Sequence, residues 1–254
     1  MLKNGFVILA LALVMLASSS SEAESHAGFQ RTRLAIEMPP LSMGTVMPPF
    51  YLTERVLDVP LYHQAHRLSC EAAALRMALA YEGISVDELT LISYMGDDTR
   101  PARFDSRGKL ATWGDPIAAY VGNPDGRLEN LTGYGVYHAP VAKAALQAGA
   151  IVFAQGSGLY GAGVEPPDLY KAILQGHPVV AWISNTYHFV PLASYVAYDG
   201  ATVQYTLTEH AVTVIGVRPD AVLINDPWFG QAWHPKAQFE SAYRTFANMA
   251  VALG

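Results

Sequence analysis

The sequence predicts an α+β fold in which a helical N-terminal half packs on an antiparallel β-sheet. Helical patterns are concentrated before residue 176, whereas continuous apolar runs typical of buried strands begin at residue 178. Two of these runs, at 209–217 and 221–225, are separated only by a short turn and therefore form a hairpin. This order of helices first and antiparallel strands later indicates an α+β fold and differs from the alternating βαβ pattern of a parallel sheet.

Five segments carry helical patterns with start and stop signals. The first, 70–82, is rich in alanine and leucine, follows a candidate N-cap at Ser69 and ends at Gly83. The second runs from a Ser-x-x-Glu capping box at 85–88 to about residue 94 and ends at Gly96. Three further helices are predicted at 139–148, 167–175 and 235–243.

The remaining strands are shorter, and one long region has no clear period. A strand at 56–62 contains Pro60, which confines it to a sheet edge or a strand end. Further strands are predicted at 178–183 and 248–252. Residues 97–135 are rich in Gly, Asp, Pro and Asn, so we expect a long irregular loop with a short helix near 116–120.

Composition excludes one large class of function. Hydrophobic residues make up 51% of the 254 residues and charged residues 15%, which suits one sizeable core with extensions. The formal net charge is −6 and no basic run or stripe is present, so a nucleic-acid partner is not expected.

The first residues have the pattern of an export signal. Lys3 precedes an apolar run at 6–17, and small residues at Ser21 and Ala23 fit a cleavage site after Ala23. A run of this length is short for a bilayer, which needs about 20 residues, although an uncleaved anchor remains the alternative. We therefore expect a signal peptide at 1–23 and a secreted or extracytoplasmic protein, tethered to the membrane only if the signal is uncleaved.

The mature chain is expected to have two parts. Residues 24–54 contain two Pro-Pro pairs and no helical or strand period, so we interpret them as a linker or an N-terminal arm. Residues 55–254 then form the folded domain.

The single cysteine, Cys70, is the candidate nucleophile. A chain with one thiol has no internal disulfide. Cys70 lies in the first turn of the predicted helix, where the helix dipole favours thiolate over thiol. The alternative is a buried structural cysteine, which is common in proteins.

His210 is the candidate base for this thiol. It opens a buried strand and follows Cys70 by about 140 residues, within the ~130–150 typical of papain-like enzymes. His188 is the main rival. The hairpin partner strand brings Asn225 or Asp226 near the His210 imidazole as its orienting group, and strand alternation allows only one of them to face it.

Acyl transfer also needs hydrogen-bond donors for the oxyanion. The backbone amide of Cys70 is one candidate. Gln64 lies upstream in the loop that leads into the helix and can supply a side-chain NH₂ group.

Together these residues resemble the C39-like peptidases of the papain-like cysteine protease superfamily, over about residues 56–253. The pieces that carry the resemblance are VPLYHQ at 59–64, LSCEAAA at 68–74, GDP at 114–116, VGN at 121–123, TGYGVY at 132–137, EHAV at 209–212 and NDPW at 225–228.

The resemblance implies a papain-like fold and a role for four residues. It assigns Cys70 as nucleophile, His210 as base, Asp226 as acidic orienter and Gln64 as the oxyanion-hole glutamine. The chain differs from bacteriocin-processing members, which have Cys-Gly at the nucleophile and are fused to transporters, because it has Cys70-Glu71 and an export signal.

The predicted function is therefore an exported cysteine peptidase-like hydrolase that cleaves a peptide or related amide bond through a thioester acyl-enzyme. The expected partner is a peptide or protein substrate. Two alternatives remain: a catalytically silent binding module on the same fold, and an acyl transferase that uses the same acylation chemistry.

No cofactor or metal is predicted. His63 and His66 are close in sequence but lie in a loop, and no further ligand pattern completes a site with them.

Overall fold

A computed structural model describes residues 53–254, so the predicted signal peptide and nearly all of the predicted linker lie outside the described residues. The helices are α1 (Cys70–Tyr81), α2 (Glu88–Met95), α3 (His138–Gln147), α4 (Pro166–Gln175) and α5 (Lys236–Tyr243). None of these helices, the longest of which has 12 residues, combines the length and apolar character needed to cross a bilayer.

The strands of the described region are short at its N-terminal end and longer towards its C-terminal end. They are β1 (Arg55–Val56), β2 (Asp97–Asp98), β3 (Arg103–Phe104), β4 (Leu110–Trp113), β5 (Tyr120–Gly122), β6 (Gly133–Gly135), β7 (Val152–Gly156), β8 (Val179–Ser184), β9 (Ala193–Ala197), β10 (Thr202–Tyr205), β11 (Glu209–Val217), β12 (Ala221–Asp226), β13 (Gly230–Pro235) and β14 (Ala250–Leu253).

An antiparallel sheet forms the centre of the molecule, which confirms the predicted α+β class. Its strand order is β13-β12-β11-β8-β14-β7, with β1 paired to β11. Every residue of β8 and β11 is buried, because α1, α4 and α5 contact these strands. The continuous apolar runs in the sequence therefore correspond to strands that are covered by helices.

Helix α1 packs against β11 through small side chains. Ala72, Ala73 and Ala74 are fully buried, and their small side chains allow the helix backbone to approach the strand. The hydroxyl of Thr213 in β11 donates a hydrogen bond of 2.9 Å to the carbonyl of Ala74. This contact fixes the position of α1 along β11 and therefore the position of Cys70, the first residue of the helix.

The predicted cap of α2 is wrong, whereas Ser69 occupies the predicted N-cap position of α1 without a side-chain cap hydrogen bond. Asp87, rather than Ser85, caps α2, since its carboxylate accepts a hydrogen bond from the amide of Thr90. The side chain of Glu88 does not close a capping box, because it is buried and accepts a hydrogen bond from the hydroxyl of Ser69. Ser69 consequently makes no side-chain bond to the N-terminus of α1.

The prediction of an irregular loop over 97–135 is also wrong. Five short strands lie in this region and belong to two small sheets, β2-β5-β6 and β10-β9-β4-β3, the second of which also contains β9 and β10 from later in the chain. Residues 116–119 form a turn rather than a helix. The glycines that suggested a loop serve close packing, since a Cβ at Gly133 would collide with the backbone of residue 123. Strands β7, β9, β10 and β13 were not predicted from the sequence.

The N-terminal strand is shorter than predicted. Only Arg55 and Val56 pair with β11, and the chain then continues in an extended form across the sheet. The amide of Leu57 donates to the carbonyl of Ile215 at 2.8 Å, so this segment remains attached to the sheet.

Gly135 offers a test of the contact between β6 and α1. Its φ is +127°, and a Cβ there would collide with Oε1 of Glu71 in α1. We expect Gly135→Ala to lower the free energy of unfolding by about 2–4 kcal/mol, from backbone strain together with the clash. Denaturant unfolding measures this change.

Gly149→Ala is the matched control. Its φ is also positive, at +97°, but an added Cβ would meet nothing within 4 Å. This substitution should lower the free energy of unfolding by about 1–2 kcal/mol, from backbone strain alone. Equal losses in the two variants would show that the Gly135–Glu71 approach is looser than described.

Candidate active site

Cys70 and His210 line one cavity of about 190 Å³ at the N-terminal end of α1. The same cavity is bordered by Gln64 from the loop before α1 and by Trp228 and Phe229 from the loop after β12. Three parts of the chain that are distant in sequence therefore meet here. His188, the rival base, is exposed and does not border this cavity.

The imidazole of His210 is hydrogen-bonded to Asp226. Its Nε2 lies 2.9 Å from Oδ1 of Asp226, and both side chains are buried. Because Asp226 is the acceptor, the neutral ring carries its proton on Nε2 and leaves Nδ1 unprotonated. Within residues 53–254, Nδ1 has no hydrogen-bond partner and is available as a base.

Strand register explains why Asp226 and not Asn225 meets the imidazole. Asn225 pairs with Thr213, so the two share one face of the sheet. His210 lies three residues before Thr213 and Asp226 one residue after Asn225, so both face the other way. Asn225 instead donates to the carbonyl of Val59 at 3.0 Å.

Several donors hold Asp226 in its ionised form. Its Oδ1 also accepts hydrogen bonds from the amides of Trp228, at 2.8 Å, and Phe229, at 3.1 Å. Burial alone would raise the pKa of Asp226, but the hydrogen bond and charge of His210, together with these two amides, outweigh it and lower the pKa below its ordinary value.

Tyr187 supports the second oxygen of the same carboxylate. Its hydroxyl donates to Oδ2 of Asp226 at 3.2 Å, and its ring stacks on His234 with centroids 4.3 Å apart. The φ of Tyr187 is +56°, an uncommon value for a residue other than glycine. Nothing in the spacing of Tyr187 along the sequence points to this contact.

The surroundings of the Cys70 thiol oppose the effect that was expected from the helix dipole. Burial raises the pKa of the thiol well above its usual range, and the nearby carboxyls of Glu71 and Glu209 raise it further. Only the amide of Ala211 opposes this effect. The thiol donates to Oε2 of Glu71 at 3.5 Å, and no hydrogen bond joins it to His210 in the described structure.

Glu71 and Glu209 are buried next to Cys70. Glu71 accepts a hydrogen bond of 2.7 Å from the amide of Val136, whereas the carboxyl of Glu209 has no hydrogen-bond partner among residues 53–254. Burial raises the pKa of both groups, and their mutual repulsion raises that of Glu209 further. Each glutamate directly adjoins a candidate catalytic residue in sequence, which was the signal available to find them.

Gln64 borders the cavity, but its amide is engaged by the backbone. Nε2 donates to the carbonyls of His66, at 2.8 Å, and Arg67, at 2.7 Å, while Oε1 is buried without a partner. Both amide hydrogens therefore stabilise the loop before α1 in this structure. The role of Gln64 in an oxyanion hole stays a prediction.

Glu88 connects this loop to α2. Both of its carboxylate oxygens lie 3.0 Å from the amide of Ala65, and it also accepts from Ser69. Arg76 of α1 lies 4.0 Å away. The buried carboxylate of Glu88 thus positions the segment that runs directly into Cys70.

One protein family and one relative match this chain over most of its length. The Peptidase_C39 like family matches residues 56–251. The uncharacterized protein YvpB of Bacillus subtilis (strain 168) is 32% identical over 205 residues, which is 78% of this chain and 75% of YvpB.

Two solved structures match this chain to different degrees, and the first, with a TM-score above 0.5, shares its fold. A C39-like peptidase structure from Bacillus anthracis is 27% identical, with a TM-score of 0.64 over 79% of this chain and 97% of that chain. The Carica candamarcensis cysteine protease CMS1MS2 is 14% identical, with a TM-score of 0.38 over 80% of this chain and 98% of that one.

The His210–Asp226 pair predicts a pH-dependent stability difference. Asp226→Asn retains the shape of the side chain but removes its charge. It should therefore lower the free energy of unfolding by about 1.5–3 kcal/mol at neutral pH. Since the folded pKa of Asp226 is lowered, this stabilisation is fully present above its unfolded pKa of about 3.9 and is lost as the pH falls through the folded value.

Urea unfolding of the wild type and the variant across this pH range measures the effect. The difference should be constant above about pH 5 and shrink in acid. Asp220→Asn, which removes an exposed partner of Arg218, should stay within about 0.5 kcal/mol of wild type at every pH. A difference for Asp226→Asn that persists in acid would contradict an ionised Asp226.

The raised pKa of Cys70 predicts slow alkylation. Each pKa unit lowers the thiolate fraction about tenfold, so iodoacetamide should label the folded chain at least about tenfold more slowly than the urea-unfolded chain at the same pH. Mass spectrometry follows labelling cleanly because the chain has one cysteine.

The pH dependence of the labelling rate distinguishes a raised thiol pKa from restricted access of the reagent to the buried sulfur. The folded rate should still rise above about pH 8.5, where the unfolded rate levels off. A folded rate that reaches its plateau near neutral pH would instead show a thiolate stabilised by an imidazolium.

Proposed function

Because the chain belongs to the Peptidase_C39 like family, we propose that it is a cysteine peptidase with Cys70 as nucleophile and His210 as base. The observation that carries the proposal is the 2.9 Å hydrogen bond between His210 and Asp226 at the cavity that Cys70 borders. The N-terminal signal pattern supports an exported enzyme that acts outside the cytoplasm.

Catalysis begins with transfer of the thiol proton to Nδ1 of His210. To reach Nδ1, Sγ turns away from Oε2 of Glu71, its present hydrogen-bond partner at 3.5 Å. The sulfur then forms a bond to the carbonyl carbon of the substrate, and the imidazolium is stabilised by ionised Asp226.

His210 then returns the proton to the leaving amine as the C–N bond breaks. This step leaves a thioester on Cys70. Water, deprotonated by Nδ1, attacks the thioester and releases the acid product together with the thiol.

The neutral thiol makes this mechanism depend on the base. Burial and the adjacent glutamates raise the pKa of the thiol, which favours protonated sulfur. Deprotonation and attack are therefore coupled, since the imidazole must accept the proton as the sulfur attacks.

The oxyanion would be stabilised first by the backbone amide of Cys70. This amide belongs to the first turn of α1 and so has no acceptor within the helix. Gln64 adds a second donor if its NH₂ group exchanges one of its two carbonyl contacts for the substrate.

The substrate is a peptide or protein with an apolar side chain near the scissile bond. Trp228 and Phe229 border the cavity and are 52% and 71% exposed, so they offer a hydrophobic surface at its rim. Burial of a large apolar side chain there is worth about 1.5–3 kcal/mol.

A silent binding module is the second candidate. It is favoured by one observation, namely that the thiol contacts Glu71 rather than the imidazole in this structure. In this alternative, Trp228 and Phe229 at the rim of the cavity bind a peptide that is not cleaved.

Hydrolysis can be tested with a pooled peptide library and the full chain. Mass spectrometry should detect cleavage by the wild type, and Cys70→Ala should abolish it. His210→Ala should lower kcat/KM by about 10²–10⁴-fold, because it removes the general base.

His188→Ala is the matched control, since His188 is exposed and lies away from the cavity. Its activity should equal that of the wild type. Peptide binding without products, equal in wild type and Cys70→Ala, would favour the binding module. Products formed only when an amine acceptor is added would indicate a transferase.

A further inference from the structure

Three ligand atoms converge at the inner end of the cavity. The Sγ of Cys70 and one carboxylate oxygen each of Glu71 and Glu209 all lie within 4.8 Å of one another. All three side chains are buried, with Cys70 7% and Glu209 4% exposed. Cys70 and Glu209 border the cavity, which gives the group a path to solvent.

The carboxyl of Glu209 lacks the partners that buried carboxyls ordinarily have. None of its hydrogen-bonding capacity is used within the described chain, and Oε1 is fully enclosed. Neither Glu71 nor Glu209 forms an ion pair with a cationic side chain of residues 53–254. A buried carboxyl without a protein partner requires a proton, a water molecule or an ion.

We propose that Cys70, Glu71 and Glu209 form a binding site for a thiophilic divalent cation of the Zn²⁺ type, which reversibly blocks the thiol. Zn²⁺ accepts thiolate sulfur and carboxylate oxygen in one tetrahedral set. Binding forms one metal–sulfur bond and two metal–oxygen bonds and breaks the S–H bond, and the thiol proton, together with any proton carried by the two carboxyls, passes to solvent.

The existing geometry fits such an ion. With bonds of about 2.3 Å to sulfur and about 2.0 Å to oxygen, tetrahedral ligands are about 3.5 Å apart. The Sγ of Cys70 and Oε2 of Glu71 are separated by 3.5 Å. Glu209 is held by no hydrogen bond, so rotation of its side chain can supply the third protein ligand, and a water molecule would take the fourth tetrahedral position.

The ligand set has no motif in sequence. Cys70 and Glu71 are adjacent in α1, whereas Glu209 comes from the start of β11, and no His–Cys or Cys–Cys spacing marks the group. This is why the sequence analysis predicted no metal.

The direct test titrates the full wild-type chain with Zn²⁺ in a calorimeter and with Co²⁺ in a spectrophotometer. We expect saturable one-to-one binding and a thiolate-to-cobalt charge-transfer band in the near ultraviolet. Glu209→Gln should weaken Zn²⁺ affinity at least about 100-fold, because even loss of an outer-shell partner costs 10–100-fold.

Glu129→Gln is the matched control. Glu129 also borders the cavity but is exposed and lies outside the cluster, so Zn²⁺ affinity should match that of the wild type. Circular dichroism verifies that Glu209→Gln is folded, and Cys70→Ser, in which oxygen replaces sulfur, should remove the charge-transfer band.

His210→Ala distinguishes the proposed site from a simple cysteine–histidine pair. Zn²⁺ affinity should persist in this variant. The proposal is overturned if wild type does not bind, if Glu209→Gln binds as tightly as wild type, or if affinity is lost in His210→Ala instead. Binding is measured without substrate, so these outcomes are independent of whether the chain hydrolyses peptides.

Discussion

The contact of helix α1 with strand β11 brings Cys70, Glu209 and His210 together at the cavity. Fully buried alanines allow the helix to contact the strand, and the Thr213–Ala74 hydrogen bond sets its position along the strand. The first residue of the helix is thereby placed beside the first residues of the strand. Cys70, Glu209 and His210 meet because two secondary-structure elements begin at the same place.

Two buried carboxyl groups of this site, those of Asp226 and Glu209, have pKa values shifted in opposite directions. Asp226 is buried but accepts hydrogen bonds from an imidazole, two amides and a hydroxyl, and it remains ionised. Glu209 is equally buried but has no donors, and its pKa is raised. Hydrogen-bond donors, rather than depth, decide which carboxyl carries charge.

Much of this arrangement could be predicted from the amino-acid sequence. The helix at Cys70, the strand at His210 and the hairpin that follows all have local signals, namely alanine content, apolar runs and a turn. The choice between Asn225 and Asp226 required the strand register, which local patterns do not contain. The contacts of Tyr187 and Glu88 depend on tertiary packing between distant segments. The small sheets of 97–135 were missed because glycines required for close approach resemble those of loops.

The raised pKa of Cys70 also bears on the oxidation of its sulfur. Peroxides and related oxidants attack thiolate far faster than thiol. A thiol whose pKa is raised by burial therefore reacts with such oxidants more slowly than an unperturbed thiol does. The chain contains one cysteine and therefore no internal disulfide, so reducing surroundings break no covalent cross-link within it.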